Sequence, residues 1–204
     1  VHIRPGEDIV REYRSQMRRQ QRHRRDLDAK RTLPAETSDG LPITLLANID
    51  LPKEIELAVD NGARGVGMYR TEFLYLNYRL PSEEEQFRAY AKIVEAMAPA
   101  PVTIRTIDLG GDKLSHVLDV KTEDNPFLGW RGLRICLDEP GLFKTQLRAL
   151  LRASSLGALR ILLPMISGTQ ELVRARALME EVKDELRESG EPFGEDAELG
   201  VMVE

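Results

Sequence analysis

Three charged residues define the chemistry this chain can be expected to do. Arg70 directly follows the β-prone run Gly65–Tyr69, Arg105 lies near the end of the run Val102–Thr106, and Glu204 directly follows Leu199–Val203. Two guanidiniums facing one crevice suit an anion such as phosphate or carboxylate, because each grips it through paired N–H donors. A carboxylate opposite them can hold a divalent cation that bridges to the same anion. The plainer reading, ordinary salt bridges at strand ends, stays open at this point. After Arg105 the chain enters a loop holding Asp108, Gly110, Gly111, Asp112 and Lys113. A strand that ends in arginine and runs into glycine and charge reads as the mouth of an α/β active site, or equally as a surface loop after an edge strand.

Those residues need elements to place them, and the pattern from residue 41 onward supplies a regular series. Ile43–Ile49 is an apolar run of strand length, and Pro52–Asn61 carries Ile55, Ala58 and Val59 at helical spacing before Asn61-Gly62 ends it. Gly65–Tyr69 reads as a second strand, and Ser82–Met97 as a helix opened by a capping box of Ser82 and Glu85 after Pro81. Val102–Thr106 is the third strand, and its long loop leads to a helix over Gly141–Ser155 with Leu142, Leu147, Leu150 and Leu151 as its buried stripe. Leu159–Leu163, Thr169–Ser189 and Leu199–Val203 complete the series as strand, helix and strand. Four strand–helix units and a fifth strand argue for a parallel sheet with right-handed crossovers. Either an open doubly wound sheet or a (β/α)8 barrel fits this count. The repeating part is shorter than the roughly 250 residues of a complete barrel, so a barrel would be partial. In both folds ligands bind at the carboxyl ends of the strands, where Arg70, Arg105 and Glu204 fall.

Composition narrows the class. At 204 residues with 42% hydrophobic content the chain can bury a real core, and the net charge of −5 gives no reason to expect a nucleic-acid partner. Membrane insertion is not expected, since no apolar run approaches the roughly 20 residues a bilayer requires. The first residues, with His2 and Arg4 followed by acids, do not read as a secretory signal. A single cysteine, Cys136, cannot form an internal disulfide, so the cytoplasm is the expected compartment. Charge is uneven all the same. Arg4–Arg31 is rich in arginine and glutamine, with Ile9, Val10, Tyr13, Met17 and Leu27 as sparse apolar positions. This predicts one long, mostly solvated helix. A nucleic-acid surface is the competing reading, weakened by the lack of aromatic and glycine interleaving. The turn-rich stretch after Pro34 places a boundary between a helical segment over 1–34 and an α/β domain over 35–204.

Five blocks, taken in order, resemble one family. They are GVGMYRTEFLY from Gly65, PSEEEQ from Pro81, RTIDLGGDK from Arg105, NPFLGWR from Asn125 and GVMVE ending at Glu204. Together they are similar to consecutive motifs of enzyme I, the phosphoenolpyruvate-protein phosphotransferase family of the bacterial sugar phosphotransferase system. More distant likenesses are phosphoenolpyruvate synthase and pyruvate phosphate dikinase, from which the RTEFLY and NPFLGWR blocks separate it. The resemblance implies an α/β fold, specifically a partial (β/α)8 TIM barrel of about four βα units plus strand five, preceded by a long linker helix from a phosphohistidine domain. It implies magnesium-dependent transfer of a phosphoryl group from phosphoenolpyruvate to an enzyme histidine and on to the carrier protein HPr. Arg70 and Arg105 then become phosphate ligands, Arg131 a further phosphate contact, and Glu204 a ligand of Mg2+.

The departures matter as much. None of His2, His23 and His116 has the glycine-rich setting of the family's phosphorylated histidine, and Cys136 is at the wrong place for its catalytic cysteine, so it reads as a small buried apolar residue. The expectation is an internal fragment, inactive by itself, that self-associates through unpaired strand edges or as a homodimer. A purely structural half barrel is the alternative.

Overall fold

Why the residues after position 41 fold as they do follows from where their apolar side chains can go. In the computed structural model, which describes residues 6–75, 79–110 and 129–203, five short strands form one parallel sheet in the order β1-β2-β3-β4-β5. They are β1 (Ala47–Ile49), β2 (Val66–Tyr69), β3 (Val102–Arg105), β4 (Leu159–Leu163) and β5 (Glu198–Val201). The helices that follow them are α2 (Ile55–Asp60), α3 (Glu83–Met97), α4 (Leu133–Asp138), α5 (Pro140–Ser154) and α6 (Thr169–Ser189), with α1 (Glu7–Lys30) ahead of the sheet. Strand order follows chain order without reversal, so the sheet has no switch point of the doubly wound kind. Crossovers of one hand then bring the helices to one face.

Burial along the strands agrees. Ile49, Val66, Tyr69, Val102, Ile104, Leu159, Ile161 and Leu163 are buried in the core, packed with α3, α5 and α6. Between them, Asn48, Arg160, Glu198 and Gly200 stay exposed, and Arg160 pairs with Glu198 across β4 and β5 at 2.7 Å. Parallel sheets are ordinarily covered on both faces. This one presents a polar, open second face among the described residues.

The helices are begun and held by local chemistry. Ser82 Oγ accepts from the Glu85 backbone N–H at 3.2 Å, and the Glu85 carboxylate accepts from the Ser82 N–H at 2.9 Å, which is the predicted capping box. Helix α5 buries Phe143, Leu147, Leu150 and Leu151 between α3 and α6, with Leu142 partly buried beside them. On the outer side, Glu83 accepts from Arg148 and Arg152 at 2.8 and 2.7 Å, and Glu185 accepts from Lys144 and Arg148 at 3.0 and 3.2 Å. Gly65 has φ 150, and a Cβ there would stand 2.5 Å from the Pro101 carbonyl, so only glycine fits where β2 begins.

Several expectations need correction. The first strand is only Ala47–Ile49, because Ile43, Leu45 and Leu46 are exposed and the Ile43 N–H donates to the Ala35 carbonyl rather than into the sheet. Leu133–Asp138, read as loop, is helix α4, and Glu72–Tyr75 is a 3-10 turn; both are too short for periodicity to register. The fifth strand starts one residue earlier than expected and ends at Val201. The solvated helix is present as α1, with no buried residue. No described helix is long and apolar enough to cross a membrane.

Two outcomes follow from this packing. Leu150→Ala should lower unfolding free energy in urea by about 3 kcal/mol, whereas Met17→Ala on α1 should change it by less than about 0.5 kcal/mol. The Glu85 carboxyl is held down to about 2 by the Arg79 guanidinium and then by the Ser82 N–H. A depressed folded value stabilises above the ordinary 4.5 and is lost as pH falls toward 2. Glu85→Gln should therefore flatten that part of the acid limb in a pH series of thermal melts.

Candidate active site at the strand tips

Register decides which side chains meet. Tyr69 of β2 stands opposite Ile104 of β3, so Arg70 and Arg105 are the next residues on two neighbouring strands, which lie about 4.8 Å apart. Both belong to the carboxyl edge of the sheet. The Arg70 N–H donates to the Ile49 carbonyl at 3.0 Å, which ties this tip to that of β1. Its guanidinium donates to Asp50 at 2.9 Å, in a pair that remains about two-fifths exposed.

Arg105 is in a different situation, with only 9% of the residue exposed. Its Nη2 donates to Glu72 at 2.8 Å, and its Nη1 lies 3.0 Å from Asp108 and 3.8 Å from the Met202 sulfur. Asp108 is shared. Its second oxygen accepts from Arg131 Nε at 3.0 Å and Nη2 at 2.9 Å, and its carbonyl takes a further bond from Nη2 at 3.2 Å. Arg131 is brought there by backbone pairing of the two loops, through the Gly110–Arg131 bridge and the Gly132 N–H on the Leu109 carbonyl. Gly132 has φ 57, and a Cβ on it would come within 3.2 Å of Asp108 Oδ1 and 3.0 Å of Met165 Cγ. Met165, after β4, also has positive φ, at 58. A non-glycine residue held there marks a segment whose surroundings override a local cost.

Charge at this rim is balanced: three guanidiniums, of Arg70, Arg105 and Arg131, against three carboxylates, of Asp50, Glu72 and Asp108. Hydrogen bonding is not. Glu72 Oε2, Arg105 Nε and Thr106 Oγ1 are buried without a partner among the described residues. Buried polar groups left unpaired are rare and costly. Such a rim can take an oxyanion, since fixed guanidiniums offer donors in a fork that matches its oxygens. A cavity of about 800 Å3 lies elsewhere, between β4, β5 and α6, lined by Arg160, Arg176, Lys183 and Leu199 among others. It includes none of the rim arginines, and convergent charge with unpaired donors places the candidate site at the strand tips instead.

The structure thus puts Arg70 and Arg105 side by side, with Arg131 joined to Arg105 through Asp108. Glu204 lies outside the described residues, as do Lys113, His116 and most of the long loop. His23 sits on exposed α1. Cys136 is fully buried, and burial pushes its thiol well above the usual range, which fits an unreactive small residue. Sequence reasoning gave no role to Glu72 or Asp50, though each follows a strand end by one to three positions, which was the available signal.

Burial predicts how these pairs differ. Asp108→Ala leaves Arg131 without its carboxylate and Arg105 with Glu72 alone, in a site from which water is largely excluded, and should cost about 3 kcal/mol in denaturant unfolding. Asp50→Ala breaks a half-exposed pair and should cost at most about 1 kcal/mol by the same measurement.

Comparison with known proteins identifies the setting. Residues 24–204 match the model of the family described as PEP-utilising enzyme, PEP-binding domain. Over the whole chain, it is 44% identical to the phosphoenolpyruvate-protein phosphotransferases of Staphylococcus carnosus and of Staphylococcus epidermidis, and 43% identical to that of Haemophilus influenzae. It spans 36% of the length of each. These matches do not favour the synthase or dikinase reading. The chain belongs to the family of PEP-utilising enzymes and carries their phosphoenolpyruvate-binding domain.

Proposed function

We propose that this chain works as the phosphoenolpyruvate-binding part of a phosphoenolpyruvate-protein phosphotransferase, which passes the phosphoryl group to a histidine elsewhere in the enzyme and then to HPr in sugar uptake. The observation that carries the reading is the side-by-side placement of Arg70 and Arg105, one half-exposed and one buried, with Arg105 Nε unpaired among the described residues. Arg70, reachable from solvent, meets the incoming phosphate. Arg105, held by Glu72 and Asp108, offers a fixed donor array to the equatorial oxygens as the group departs. Arg131 adds a third positive charge on the far side of Asp108. Charge placed before the reaction needs no reorganisation during it, and that is where such sites derive most of their rate.

A sheet in unreversed order with an open polar second face supports a partial (β/α)8 barrel, in which that face is the inner wall. Helix α1, solvated on all sides, suits a linker over 1–34 that joins this domain over 35–204 to the histidine-bearing one. Exposed edges at β1 and β5 suit pairing with further strands or a second copy. The setting is cytoplasmic in this reading.

Magnesium belongs to the same proposal through Glu204. The described rim alone is not a donor set for it: Asp50, Glu72 and Asp108 are each paired with a guanidinium, and no three acidic, histidine or cysteine side chains among the described residues are arranged to hold a metal ion. When bound, it would supply positive charge to the phosphoryl oxygens.

The test is Arg105→Ala in the full-length phosphotransferase. Turnover with phosphoenolpyruvate should fall by about 100-fold or more. An unaltered rate in a folded variant contradicts the assignment.

A further inference from the structure

Beneath the rim lies a set of buried polar side chains that the charge chemistry does not use. Gln146 on α5 is fully buried, and both polar atoms of its amide are engaged. Its orientation is fixed by a partner that can only donate: the Ile107 backbone N–H, 3.0 Å from Oε1. Nε2 must therefore donate in the other direction, to Tyr90 Oη at 3.1 Å and to Thr71 Oγ1 at 3.4 Å. Thr71, also fully buried, donates its own proton to the Arg105 carbonyl at 3.0 Å. Tyr90 donates to Gln86 Oε1 at 3.0 Å, where Tyr75 Oη also donates at 3.2 Å, and Gln86 Nε2 closes the path on the Pro81 carbonyl at 3.2 Å.

Each hydrogen in this path has one acceptor and one sense, so the path has a single arrangement. Burial raises the phenols of Tyr75 and Tyr90 far above neutrality, which keeps them donors across the working range of pH. Two of its contacts with the backbone matter most. One grips the Arg105 carbonyl and the other the Ile107 N–H, which flank Thr106 and lie between the two Cα atoms that carry the Arg105 and Asp108 side chains. Core packing alone would be met by leucine at 146 and valine at 71. An amide and a hydroxyl there carry a desolvation cost that is recovered only through directional bonds.

We infer that Gln146 and Thr71 are positioning residues: together they clamp the backbone on either side of Thr106, so that the Arg105 guanidinium stands at a fixed distance from the transferring phosphoryl group. This rests on the reading of the rim as the phosphoenolpyruvate site. The Arg70 guanidinium makes none of these bonds and is held by Asp50 instead, so first binding of substrate depends on the clamp less than the later step does. Loosening the clamp then costs stabilisation of the transition state more than of the bound substrate.

The experiment uses the full-length phosphotransferase with Thr71→Val, Thr71→Ser, Gln146→Leu and Arg105→Ala, reading kcat and KM for phosphoenolpyruvate together with the melting temperature. Thr71→Val and Gln146→Leu should lower kcat by about 10- to 100-fold, with KM changed less than about threefold. Thr71→Ser, which keeps the hydroxyl, should restore most of the loss. A fall in melting temperature with unchanged kcat, or equal losses in the serine and valine variants, overturns the clamp. If Gln146→Leu does not fold, the serine and valine pair decides alone. Should Arg105→Ala itself leave turnover intact, the substrate reading fails, and the clamp with it. Full loss on Arg105→Ala beside a wild-type Thr71→Val rejects the clamp only.

Discussion

A guanidinium taken nine-tenths out of water at the end of a strand has to be surrounded by negative charge, and much of this structure can be understood as meeting that demand. Arg105 obtains Glu72 from the turn after β2 and Asp108 from its own loop. Asp108 in turn holds Arg131, whose loop is pinned by backbone pairing and by a glycine at φ 57. Remove the ion pair and each of these loops loses its reason for the shape it has. Arg70 and Asp50, on the neighbouring tips, are not bound by this constraint because they keep contact with solvent.

Under the proposed function, the arrangement separates two roles that a phosphate site must combine. An exposed arginine can leave its carboxylate for an incoming anion at small cost, since a half-solvated pair is worth little. A buried arginine holds still, and its value lies in not having to move when charge redistributes in the substrate. The helices behind the sheet support the buried one. Helices α3 and α5 carry the buried glutamines and Tyr90 under the rim, and the salt bridges on their outer sides run between α3, α5 and α6.

Much of this was legible in the residues. β-prone and strand-length apolar runs placed four of the five strands closely, and the Ser82–Glu85 box marked the N-cap of α3. That Arg70 and Arg105 would stand at neighbouring strand tips was legible because each lies at the end of a β-prone run. Ile43–Leu46 misled because an apolar run carries no mark of whether it is covered, and these residues are exposed. What the residues could not disclose was pairing: which carboxylate meets which guanidinium depends on segments 65 and 23 positions apart in the cases of Glu83 with Arg148 and Asp108 with Arg131. Gln146 did leave a trace, being a polar residue in phase with Phe143 and Leu150 on an otherwise apolar stripe, as Gln86 is with Tyr90 and Ile93. A polar residue in such a place has to offset its own desolvation through hydrogen bonds.

The proposed function requires Arg70 and Arg105 to grip one and the same phosphoryl group. The decisive observation would follow the Nε–H resonances of both arginines by NMR while phosphoenolpyruvate is added to the full-length protein. Both signals should move together and share one midpoint. If either stays in place while the other saturates, the two arginines do not share a ligand and the common phosphate site is refuted.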